Sequence, residues 1–75
     1  MAEAAQEQTI SVRVNGEPRA VPAGCSIAQM LEAIGLNPAR VAVERNLAVV
    51  PRSTFADVEV RDGDAFEIVH FVGGR

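Results

Sequence analysis

From Ile10 the chain alternates: Ile10, Val12 and Val14 are separated by Ser11 and Arg13, the period of a strand with one buried face. Asn15-Gly16 follows, a pair that readily takes the positive φ angles of a two-residue hairpin turn. A second strand through Arg19 to Val21 is therefore expected to pair antiparallel with the first. Pro18 and Pro22 flank it, and because neither can donate to a ladder, this strand belongs at a sheet edge. The period then changes. Ile27, Met30, Leu31 and Ile34 recur at i, i+3, i+4 and i+7 on one helical face. Ser26 and Gln29 have capping-box spacing at the start of that helix, and Gly35-Leu36 followed by Asn37-Pro38 predicts its stop.

Beyond the helix, Val41 to Glu44 reads as a strand, Arg45-Asn46 as a turn, and the stretch to Val50 as a further short strand before Pro51. Ser53 to Ala56 reads as a short helical turn, Val58 to Val60 as a strand, Asp62-Gly63-Asp64 as a turn, and Ala65 to Val72 as the last strand. No repeat or low-complexity tract divides the chain. One amphipathic helix after a hairpin, with more strands behind it, predicts an α+β fold in which the helix packs on one face of a mixed sheet. The first and last strands are long and free of proline, so they are the expected central pair. That layout is the β-grasp, the arrangement of ubiquitin. Residues 1–8 read as a frayed polar leader, 9–72 as the domain, and 73–75 as a flexible Gly-Gly-Arg tail.

Composition narrows the function. With 75 residues, the chain can build one modest core, since domains of this size bury only about 60% of the surface their unfolded chains expose. A formal net charge of -3 argues against a nucleic-acid binder, which needs a basic face, and favours a protein partner with a basic surface. All seven basic residues are Arg, so Schiff-base and P-loop lysine chemistry is excluded. Cys25 is the only cysteine; no internal disulfide can form, and a reducing cytoplasm is the expected location. "MAEAAQEQ" has neither the basic start nor the apolar stretch of a targeting or membrane segment.

Few side chains suggest catalysis. Cys25 precedes a helix, where a thiol can be activated, but the only histidine, His70, is far away in sequence, and a small packed residue is the plainer reading. If Glu67 faces solvent, Val69 and Phe71 share its face, while Phe66, Ile68, His70 and Val72 face the helix; His70 is then expected to be partly buried. Asp57, Glu59, Asp62 and Asp64 are the densest acidic group. They lack the ligand steps of a calcium loop and read as a solvated strand face and turn. "GEPRAVPAG" lacks a phosphate-binding signature, and no metal site is expected.

The end of the chain, "EIVHFVGGR", is the more informative stretch. Val69, Phe71 and Val72 leave the last strand apolar on both faces, which makes them candidates for docking a partner. Gly73-Gly74 behind a core strand forms a thin, Cβ-free extension able to enter a narrow site and present a carboxylate there. Adenylylation by ATP would make that carboxylate an electrophile, and sulfur attack would convert it to a thiocarboxylate.

"VNGE", the capped helix, "VAVERN", "VPR", "DGD" and above all "EIVHFVGG" together resemble the ThiS family, the sulfur carrier proteins of thiamine biosynthesis. The resemblance covers Ile10 to Gly74. It implies a co-substrate without catalytic residues of its own, activated by a ThiF-type adenylyltransferase, loaded by a sulfur donor system and discharged to thiazole synthase. ATP, and any magnesium or zinc, would belong to the activating enzyme, and the free carrier would be a monomer. The resemblance places the acyl attachment at Gly74. Family members end in glycine, whereas Arg75 stands behind the pair here; Arg75 is the attachment point if it is not removed. Two other readings stay open: a molybdopterin-synthase small subunit, which shares fold and tail, and a ubiquitin-like interaction module whose tail does no chemistry.

Overall fold

The computed structural model describes residues 8–71; the leader through residue 7, and Val72, Gly73, Gly74 and Arg75, lie outside it. Five strands and one helix follow in the order β1 (Thr9–Val14), β2 (Glu17–Pro22), α1 (Ile27–Ala33), β3 (Val41–Arg45), β4 (Ala48–Val50) and β5 (Ala65–His70). The sheet order is β2-β1-β5-β3-β4. β1 and β5 run parallel at its centre, and the other neighbouring pairs are antiparallel. This is the β-grasp arrangement, with the proline-flanked β2 at one edge as expected and the three-residue β4 at the other.

Both hairpins close through two-residue turns with positive φ at each position. Asn15 and Gly16 have φ of 53° and 86°, Asn46 and Leu47 of 52° and 75°, the geometry that matches the right-handed twist of paired strands. Asn15 also extends the central ladder with its side chain: its Nδ2 donates to the Ile68 carbonyl at 3.1 Å, and its Oδ1 accepts from the Ile68 N–H at 2.7 Å. An isolated seven-residue helix would not hold in water; α1 is held by its buried stripe of Ile27, Met30 and Leu31. Complete burial contributes about 1.5–3 kcal/mol for each such side chain.

Every first-turn donor of α1 has an acceptor. Ile27 and Ala28 donate to the carbonyls of Val58 (3.0 Å) and Phe55 (2.9 Å), and Gln29 donates to the Ser26 hydroxyl (3.1 Å), while Gln29 Oε1 accepts from the Ser26 N–H (2.9 Å). At the other end Leu36 donates to the Leu31 carbonyl and Gly35 to that of Glu32, the paired bonds of a Schellman stop, with φ of 90° at Gly35.

Two expected strands need correction. Residues Val58 to Val60 are not a strand. Their backbone bonds go to the entry of α1, through Ile27 to Val58 and Val60 to the Cys25 carbonyl, with one isolated bridge between Ser26 and Glu59. Their alternation reflects packing against the start of the helix, where Val60 is buried, and not a place in the sheet. The last strand ends at His70, short of Phe71; Val72, its expected end, lies outside the described residues. Phe71 lies beyond the strand, although its N–H still donates to the Arg40 carbonyl at 2.8 Å.

Candidate functional site

β5 carries the chain through the middle of the sheet toward the Gly73-Gly74 pair, so the candidate site begins where that strand ends. Val69 is 60% exposed and Phe71 49% exposed. The Arg52 guanidinium lies 6.0 Å from the centre of the Phe71 ring and also donates to the Val41 carbonyl at 3.4 Å, setting a cation beside the root of the tail. Val72, the third expected docking residue, and the tail residues Gly73, Gly74 and Arg75 fall outside the described residues.

The expected faces of β5 hold for Phe66 and Ile68, which are buried, and for Glu67 and Val69, which are exposed. His70 departs from expectation: it is exposed. Its register partner Val41 is fully buried, so the cover over this end of the sheet lies on β3 and stops short of β5. His70 is therefore a surface residue near the tail.

On the solvent side of β3, β4 and β5 the sheet carries more apolar surface than the sequence reading recognised. Ala42 pairs with Val69, and Glu44 lies between Val49 and Glu67 in register. Leu47 and Val49 are 89% and 74% exposed. Together with Val69 they line an open groove of about 420 Å³. The signal for this face was present in "VAVERNLAVV", whose alternate positions Ala42, Glu44 and Val49 face away from the helix.

Beneath this face lies a polar network. The Asp64 carboxylate accepts from Arg45 Nε at 2.9 Å, from Asn46 Nδ2 at 3.2 Å and from the Arg61 N–H at 2.9 Å. Burial raises the pKa of this carboxyl, but the bonds from Arg61, Asn46 and Arg45 and the charge of Arg45 outweigh it and hold the group below the ordinary carboxylate range. Asn46 is fixed further by its N–H to the Ala65 carbonyl (2.8 Å) and by Ala65 N–H to Asn46 Oδ1 (3.0 Å). "VERN" and "DGD", far apart in sequence, are thus one construction that ties the β3–β4 turn to the start of β5. Asp64 is 7% exposed, so it does not belong to a solvated acidic patch as expected; Asp57, Glu59 and Asp62 are exposed. Asp62 accepts from the Ser11 N–H at 2.9 Å and pins the same turn to β1.

Cys25 is buried at the helix entry. Burial, together with the nearby Glu59 charge, raises its thiol pKa against a smaller lowering by a backbone hydrogen bond, which makes it a packed thiol and a poor nucleophile. Among the described residues there is no group of three or more His, Cys, Asp or Glu side chains placed to hold a metal ion, and no helix is long and apolar enough to cross a membrane.

Comparison with known proteins places this geometry. A profile described as "ThiS family" matches residues 12–74. The chain is 48% identical over 61 residues to a thiazole synthase of Paramagnetospirillum magneticum, covering 81% of this chain and 19% of that protein. It spans only about a fifth of the length of the thiazole synthases it matches. It is 41% identical over 49 residues to the sulfur carrier protein ThiS of Bacillus subtilis, covering 65% of this chain and 74% of that one. The crystal structure of the thiamine biosynthesis protein (ThiS) of Geobacter metallireducens superposes with a TM-score of 0.73 at 33% identity, over 88% of this chain and 100% of that chain.

Proposed function

The chain belongs to the ThiS family, and from that premise we propose that it is a sulfur carrier for thiamine biosynthesis, a protein co-substrate and not an enzyme. One observation carries the reading: the family match runs through residue 74 and so includes Gly73-Gly74, which follow closely in sequence on the central strand β5. In this scheme the Gly74 carboxylate attacks the α-phosphate of ATP in a ThiF-type adenylyltransferase, and pyrophosphate leaves. A hydrosulfide equivalent from the sulfur donor system then displaces AMP and leaves a thiocarboxylate, which thiazole synthase consumes. The likeness to proteins named thiazole synthase supports that last partner.

The reading assigns ATP to the partner adenylyltransferase and no cofactor to this chain, whose one thiol is buried and takes no part in the scheme. What the carrier contributes is a bare-backbone tail and a face to be gripped. Val69, Phe71 and Val72 supply part of that grip. In this reading Gly74 is the attachment point once Arg75 is removed, since a side chain there would obstruct a site shaped for glycine, and Arg75 is the attachment point if it is retained. The carrier works in the cytoplasm and is a monomer when free.

Mass spectrometry of the protein purified from its own cells tests the reading. A species ending at Gly74, heavier by the difference between one sulfur and one oxygen atom, is expected. A chain that always ends at Arg75 and never carries sulfur would instead favour an interaction module whose tail does no chemistry.

A further inference from the structure

We propose that Arg52 is a positioning residue for the tail: it ties the Phe71 ring to the start of β3 and so fixes where, and in which direction, the chain leaves the sheet toward Gly74. This rests on the carrier reading above.

The root of the tail is pinned at two points. The first is the backbone, where the Phe71 N–H donates to the Arg40 carbonyl at 2.8 Å. Arg40 closes the short turn Pro38–Arg40, which Asn37 caps by accepting from the Ala39 N–H at 2.9 Å. The second is the side chain. The Arg52 guanidinium stands 6.0 Å from the centre of the Phe71 ring, within the range where a cation is attracted to an aromatic ring, and it donates to the Val41 carbonyl at 3.4 Å. The β3–β4 ladder stops before it reaches that carbonyl, because β4 ends at Val50 opposite Val43 and Pro51 behind it has no N–H. A guanidinium can meet both demands at once, since its donors lie in its plane and its face is left to stack; an ammonium cannot.

Arg52 is itself anchored. It opens the turn Arg52–Thr54, in which Thr54 Oγ1 donates to the Pro51 carbonyl at 2.7 Å. Phe55 follows, buried, and its carbonyl accepts from the Ala28 N–H in the first turn of α1 at 2.9 Å. The core thus holds the backbone from which Arg52 reaches out, while Arg52 is exposed and Phe71 half-exposed. A contact this open adds little to global stability. Its effect is on aim. The covalent chain from Phe71 to Gly74 spans at most about 11 Å, so the direction set at Phe71 governs where the carboxylate can reach. Attack on ATP needs the reacting atoms aligned and within about 3.5 Å, and a root that wavers lowers the fraction of bound tails in that geometry.

The test uses the full chain with the adenylyltransferase of its own organism. Docking is measured by calorimetry without ATP, turnover by ATP–pyrophosphate exchange at saturating carrier, the fold by thermal unfolding, and the root by hydrogen exchange of the Phe71 amide. Arg52→Met is expected to melt within a few degrees of the parent and to exchange the Phe71 amide at least about fivefold faster. Its kcat is expected to fall at least about tenfold while its dissociation constant stays within about twofold of the parent's. Arg52→Lys, which keeps the charge but not the fork, is expected to lose at least about threefold in kcat; should Arg52→Met fail to fold, the same comparison is made on the Lys variant. Arg19→Gln, on the edge strand β2, is expected to change none of these. Full turnover by Arg52→Lys would make the charge alone responsible and overturn the inference. A loss confined to docking would make Arg52 a contact of the enzyme and overturn it too, as would unchanged Phe71 exchange or parent turnover in a folded Arg52→Met. A parent that is not adenylylated, whether it ends at Gly74 or at Arg75, would overturn the carrier reading itself, and the role of Arg52 with it, even where the Phe71 amide responds as expected.

Discussion

Replacing Asp64 by alanine removes the acceptor for three donors at once and offers the sharpest check on how the site is built. The Arg61 N–H, 2.9 Å from the carboxylate, is left without its partner at a cost of about 1 kcal/mol. Arg45 loses a charge-assisted bond of 2.9 Å; its side chain is 28% exposed, so water recovers part of the loss and about 1 kcal/mol remains. Release of Asn46, bonded at 3.2 Å, adds about 0.5 kcal/mol. The total is about 2–3 kcal/mol at neutral pH, or about 10–20 °C in Tm for a domain of this size. The pH dependence has a definite sign. The folded carboxyl titrates below its ordinary value, so its contribution is present above the unfolded pKa, near 3.9 in model peptides, and is lost as pH falls through the lower folded value. The deficit of Asp64→Ala relative to the parent should therefore be constant from pH 7 to about 5 and shrink below about 4. The chain has no Trp or Tyr, so urea unfolding is followed by far-ultraviolet circular dichroism at each pH. A deficit under about 0.5 kcal/mol at pH 7, or one of equal size at acid pH, would refute the assignment of the network's energy to the ionised carboxylate.

Three further outcomes are expected. Ser26→Ala should lower stability by about 1 kcal/mol in the same urea assay, through loss of the bond to the Gln29 N–H, while adenylylation of the tail proceeds as before. Phe71→Asp should remain folded, since the ring is half-exposed, and weaken binding to the adenylyltransferase by more than about 2 kcal/mol in calorimetry; an unfolded variant would place Phe71 in the core. A chain ending at Gly74 should be adenylylated at least about tenfold faster than one ending at Arg75 in ATP–pyrophosphate exchange, a barrier difference of about 1.4 kcal/mol, and AMP found on the Arg75 carboxyl at an equal rate would reject its removal.

Local chemistry decided most of the fold, and that part was legible in the sequence. Asn15-Gly16 could make only a tight turn of one hand, Ser26 with Gln29 could satisfy two helix-end donors reciprocally, and Gly35 could take a φ that Ile34 could not. Pro18 and Pro22, without donors, kept β2 at an edge. Each of these is settled within a few residues, where the covalent chain itself brings the partners together. The tertiary structure decided what depends on partners distant in sequence. Val58 to Val60 had the alternation of a strand, but their backbone partners turned out to be the helix entry, which no local pattern announces. His70 had the phase of a buried residue, but burial needs cover, and the cover stops short of that end of β5. Asp64 looked like one more surface acid until folding brought Arg45 and Asn46 against it from 19 and 18 residues away. The same closure set Glu44 opposite Glu67 and left Leu47 in the left-handed region on an open face: periodicity says which side of a strand a residue takes, but only the pairing register says what stands beside it.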